Sequence, residues 1–168
     1  VLQIGRFSAT PRFDDVQALT WDADDLRAFR NCRIGHCDVR LTAAAMQRFR
    51  TEVDWTSSQH DQQASRLASD LLVDMATAYL REGDSALPDY RDRGQPVSPR
   101  REFSIVAAES PSPLDLVPEF RAYLLSFPGA TLPGVETFLY WSREQVACNA
   151  RDGVPLGAVS PRPAPQPP

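Results

Sequence analysis

Of three cysteines and two histidines in the 168-residue chain, three fall within six positions, Cys32-Arg33-Ile34-Gly35-His36-Cys37. Two thiols separated by four residues, with a glycine to permit the turn, allow three chemistries. They can close a small disulfide loop, which in the entropic account stabilises less than the ~3 kcal/mol of a 15-residue loop. They can stay reduced as small buried side chains. Or His36 can lower the thiol pKa of Cys37 and make it a nucleophile. A zinc site built on this pair needs four ligands, and only His60 and Cys148 remain as soft donors. A catalytic histidine also needs an oriented nucleophile or carboxylate. No spacing around His36 or His60 supplies one, so no catalytic, metal or cofactor assignment follows, and His36 and His60 read as surface histidines.

The acidic clusters Asp14-Asp15 and Asp22, Asp24, Asp25 are the other candidates for chemistry. Asp22 and Asp25 have the spacing of a helix cap, and the calcium-loop pattern is absent. The Gly-rich phosphate loops, the serine nucleophile elbow and the His-Glu zinc helix are missing as well. Net charge is −4, and all eighteen basic residues are arginines, scattered except for Arg100-Arg101. Such a surface has no general attraction for a phosphate backbone, so nucleic acid is not an expected partner. No apolar run approaches the ~18 residues that suggest a membrane span.

The elements that must position these residues read mostly as helices. Asp22 caps a first helix ending near Asn31, with Asp25 as capping-box partner and Trp21 and Leu26 placed as a hydrophobic staple. Leu26 and Phe29 form its apolar stripe. Thr42 caps a second helix carrying Met46, Phe49 and Val53 at spacings of three and four. The strongest pattern follows: Ser58 with Asp61 as a capping box, then Ala64, Leu67, Ala68, Leu71, Leu72, Met75 and Tyr79 on one face, with Gly83 as the stop. Burial of five large side chains from this helix, at ~1.5–3 kcal/mol each, makes it the expected spine of the core.

Residues 84–99 read as loop. A short helix over Arg101 to Ala108 carries Phe103 and Val106, and another begins near Pro118 and ends at Pro128. Two stretches, residues 1–8 and Val135 to Trp141, read as strands. The expected fold class is therefore mostly α, about five helices with a few short strand segments; α+β is the alternative. From Gly153 to Pro168 the chain holds six of its fifteen prolines and no aromatic residue. The expectation is one helical domain over 1–146, or part of a larger domain, followed by a Pro-rich tail over 147–168 that cannot offset its ordering entropy and stays disordered.

Val1 to Ser8, Cys32 to Leu41, Val53-Asp54-Trp55 and Phe138 to Trp141 together resemble an uncharacterised family of exported bacterial proteins. Its cysteine motif is C-x-x-G-x-C-x-V-K/R-L, which the chain matches with His36 where an acidic residue is more usual. The resemblance covers about residues 1–146 and brings no activity with it. It implies an extracytoplasmic protein, periplasmic or secreted, although Val1 to Gly5 lacks the features of an export signal. It also implies strand-rich regions on both sides, in a helix-grip, START-like arrangement with the helical part within. On that reading the chain is an internal fragment, and the end beyond about Val146, with Cys148, departs from the family as a shifted reading frame would.

Export makes the Cys32–Cys37 disulfide the leading state of the pair. The helix-grip analogy implies a small apolar ligand held by the helices. The functional expectation is a non-catalytic, ligand- or partner-binding helical region. Against it stand a hydrolase or thiol-dependent enzyme using Cys37 and His36, and a fragment with no function of its own.

Overall fold

The structure, a computed structural model, describes residues 3–6, 11–13, 20–109, 117–135 and 138–143. The fold class is mostly α. The chain divides into two compact units, one of residues Thr20–Pro133 and one formed from Val1–Leu19 with Gly134–Pro168. The Pro-rich tail and Cys148 lie outside the described residues, as do Asp14 and Asp15.

The helical unit begins with α1 (Ala23–Asn31). Asp22 caps it as expected: its carboxylate accepts from the amides of Asp24 and Asp25 at 2.9 and 3.0 Å, and the Asp25 carboxylate accepts from the Asp22 amide at 3.1 Å. This satisfies amides that a helix start leaves without partners. In α2 (Ala43–Glu52) the Thr42 hydroxyl accepts from the Ala45 amide at 3.0 Å.

The long helix α3 (His60–Glu82) starts differently from the expected Ser58–Asp61 capping box. Its N-cap is Gln59, with no side-chain cap. The preceding residues are held in a competing turn. Asp54 accepts from the amide and hydroxyl of Thr56, the Ser57 hydroxyl accepts from the Gln59 amide, and the Ser57 carbonyl accepts from the His60 amide. Local side-chain bonds of this kind compete with helical ones. At the other end Gly83 stops the helix with φ +63°, and a Cβ there would lie 3.3 Å from Pro128 Cδ. That position suits glycine on both counts.

The core joins α1, α2 and the first half of α3. Phe29 and Phe49 stack with centroids 4.6 Å apart, Trp21 meets Phe29 edge-on at 5.2 Å, and Leu26, Val53, Ala64, Leu67 and Ala68 complete the cluster. Trp21 therefore acts as more than a staple, since its indole N–H also donates to the Ser69 hydroxyl at 3.4 Å. The expectation of five large buried side chains from α3 is corrected here. Leu67 is the large residue it buries; its other buried positions are Ala64, Ala68 and Ala76. Leu71, Leu72, Met75 and Tyr79 are half-buried. Alanine on a packed face lets neighbours approach closely, so bulk comes from Phe29 and Phe49 instead.

A 3₁₀ turn (Gly83–Ala86) follows α3, then α4 (Pro99–Glu109) and α5 (Pro118–Leu125). Tyr123 of α5 is buried, and Phe127 contacts both Tyr79 and Tyr123 at centroid distances of 5.8 and 6.2 Å. The Phe127–Pro128 bond is cis. The other unit pairs β1 (Gln3–Arg6) antiparallel with β2 (Tyr140–Arg143), Gly5 opposite Trp141. The second strand starts later than the expected Val135, beyond the turn at Gly134. Within this unit the Arg6 guanidinium lies 4.7 Å from the Phe138 ring centroid.

Candidate functional site

The Cys32–Cys37 loop is a tight turn fastened on two sides. The Arg33 and His36 backbones exchange hydrogen bonds at 3.0 and 2.9 Å, and Gly35 takes φ +82° at the third turn position. A type II turn needs that conformation, which glycine adopts without strain. Beyond the turn, Gly35 N–H donates to the Arg91 carbonyl at 2.8 Å and Cys37 N–H to the Asp92 carbonyl at 3.1 Å. The two cysteines are at disulfide distance, with Cα atoms 4.5 Å apart. They are 2% and 9% exposed and pack with Met46 of α2.

This clamping buries Asp92, which no sequence pattern singled out. It is 3% exposed; its Oδ2 is 3.8 Å from Arg93 Nε, and its Oδ1 has no hydrogen-bond partner among the described residues. Neighbouring Tyr90 has its phenol pKa pushed up by burial, with Arg40 pulling it down and Asp92 raising it further. A cleft of about 270 Å³ adjoins the loop and is lined by Asn31, His36, Cys37, Asp38, Asp92 and Arg93, among others. These residues line the same cleft, yet no hydrogen bond among the described residues joins His36 to Cys37, Asp38 or Asp92. Asp92 Oδ1 is closed off from solvent and cannot reach a substrate in the cleft.

A second cleft, of about 370 Å³, lies between α1 and the start of α3. Ala23, Leu26 and Trp55 form its apolar part; Arg27, Arg30, His60 and Asp61 supply the polar part. Trp55 is held by its indole N–H, which donates to the Phe49 carbonyl at 2.9 Å. The Arg30 guanidinium stands 5.9 Å from the Trp55 ring centroid, within cation–π range. His60 places Nδ1 2.6 Å from the Ser57 carbonyl and Nε2 3.1 Å from Asp61 Oδ1. Arg27 pairs with Asp24.

In the sequence, Trp55 stands out only as part of the Val53-Asp54-Trp55 stretch of the family resemblance, and His60 reads as a surface histidine. The spacing of Arg27 and Arg30, one turn apart on α1, was the available signal for the cleft. Their meeting with Trp55 depends on how α1 packs against α3. The remaining candidates, Trp21, Asp22, Leu67, Leu71, Met75, Tyr79 and Gly83, serve the helices and the core.

Among the described residues no group of three or more His, Cys, Asp or Glu is placed to hold a metal ion, and no helix is long and apolar enough to cross a membrane. No protein-family profile, curated protein or solved structure matches this chain.

Proposed function

We propose that this chain is a non-catalytic binding region of an exported bacterial protein, braced by a Cys32–Cys37 disulfide, that takes a small, largely apolar ligand. The observation that carries this reading is the Trp55 cleft. Ligand sites are concave, mostly apolar, and ~300 to 1,000 Å³ in size, with a few polar groups to set orientation. The Trp55 cleft falls in that size range, at about 370 Å³, and is an open depression in which Ala23, Leu26 and Trp55 sit beside the four polar residues Arg27, Arg30, His60 and Asp61. The cleft beside the cysteines is smaller and lined mainly by polar side chains.

Oxidising compartments outside the cytoplasm are where a disulfide persists, and the sulfur pair at bonding distance supports that setting. The opposing reading, a thiol-dependent enzyme at Cys37 and His36, draws on their shared cleft with Asp38 and Asp92. It requires an accessible thiolate, whereas Cys37 is buried and aligned with Cys32.

The test is an NMR titration with the neutral probe 2-naphthalenemethanol. The indole N–H signal of Trp55, assigned by Trp55→Phe, should shift saturably, with those of Trp21 and Trp141 unmoved. A linear or uniform response would remove the site. Alkylation of the unreduced, natively isolated protein should leave Cys32 and Cys37 unlabelled; two labelled thiols would rule out the disulfide.

A further inference from the structure

We infer that the Trp55 cleft selects a ligand carrying an anionic group, a carboxylate or its equivalent, beside its apolar body, and that Arg30 receives that group. This rests on the proposal that the Trp55 cleft is the binding site and adds the chemical class of the ligand. The argument is a charge balance within the cleft. Three of its lining residues can carry positive charge, Arg27, Arg30 and His60. Two have acidic partners: Arg27 pairs with Asp24, and His60, a cation only when protonated, places Nε2 3.1 Å from Asp61. Arg30 has no ion pair among the described residues. Its guanidinium carbon stands 5.9 Å from the centroid of the Trp55 ring.

A guanidinium held near an indole loses some of its freedom to reorient, so less is lost when it binds. Its planar fork matches a carboxylate in two-point contact. A ligand whose ring lies on Trp55 brings a substituent on its edge towards Arg30. Arg27, one turn away on the same helix face, adds to the field with its charge already partly offset by Asp24. Asp61, which also lines the cleft, lies 3.1 Å from His60 Nε2, and its negative charge opposes the attraction.

The experiment compares 2-naphthalenemethanol with naphthalene-2-carboxylate, two probes with the same rings and different charge, by titration on the intact chain. The carboxylate is expected to bind about tenfold more tightly, the scale of one charge-assisted hydrogen bond. Arg30→Gln should abolish that difference, so that within this variant the carboxylate binds no more tightly than the alcohol. Arg30→Lys should restore part of it, and Arg27→Gln should reduce it by less than Arg30→Gln does. Both arginines are exposed, so these variants keep the fold, which circular dichroism checks. Equal affinities for the two probes overturn the anion preference and leave the apolar site standing. Failure of both probes removes the site itself, and this inference with it. A carboxylate preference that survives Arg30→Gln overturns the assignment to Arg30.

Discussion

Two helices with similar apolar spacing end in opposite environments. In α1 the pair Leu26 and Phe29 is 7% and 4% exposed; in α4 the pair Phe103 and Val106, also three apart, is 40% and 59% exposed. The α1 pair meets Phe49 and Leu67 in the core cluster, while α4 buries none of its residues. Periodicity marks which side of a helix is apolar. It carries no information on whether another element covers that side.

The comparison is tested most severely by Phe49→Ala. Phe49 is 1% exposed and stacked on Phe29, so its removal should cost about 3–5 kcal/mol in urea unfolding. The matching truncation in α4, Phe103→Ala, should cost far less. Equal losses would show that α4 is as well packed as α1, contrary to the burial described.

Next in size is the cap of α1. Asp22→Ala removes the acceptor for two amides and should destabilise by about 1 kcal/mol, measured by thermal unfolding. An unchanged midpoint would mean that packing alone holds the start of α1.

An effect confined to alkaline pH is expected in the second half of α3. The Tyr79 phenol is pushed from its ordinary 10.0 up to about 12, first by burial and then by the Asp84 carboxylate. Folding therefore favours the neutral phenol. That contribution is complete below pH 10 and is lost as pH rises from 10 towards 12. Tyr79→Phe should flatten the loss of stability in this window, followed as denaturant midpoint against pH. An identical slope in the variant would place the alkaline sensitivity elsewhere.

The smallest effect is expected at Val106→Ser, within about 0.5 kcal/mol of wild type because the side chain is already exposed. A larger loss would reveal a cover on this face.

The parts of the fold legible in the sequence were those made by neighbouring residues. The Asp22 capping box, the Thr42 cap and the Gly83 stop each need only a few consecutive side chains and one backbone conformation. The Ser58–Asp61 box does not form because Asp54, Thr56 and Ser57 hold the chain before α3 in a rival turn, which leaves Gln59 as the N-cap. The emphasis on large residues in α3 failed for a different reason. Leu71, Met75 and Tyr79 have the right period, but the buried positions that α3 gives to the core cluster are Ala64, Leu67 and Ala68, beside Phe29 and Phe49 from α1 and α2. Nothing near Asp92 announced its burial, which follows from a backbone bond to Cys37, fifty-five positions away in the chain (92 − 37).

From its amino acids alone, this protein was bound to be mostly helical, with capped helix starts, a glycine stop and two cysteines close enough in sequence to meet. Those outcomes rest on interactions within a few residues, whose geometry the chain supplies by itself. Tertiary packing decided that Arg30, Trp55 and His60 would share a cleft, that Asp92 would be closed in, and that α4 would keep its apolar residues exposed. Such outcomes depend on which distant surfaces meet, and a side chain carries no record of that until the helices have docked.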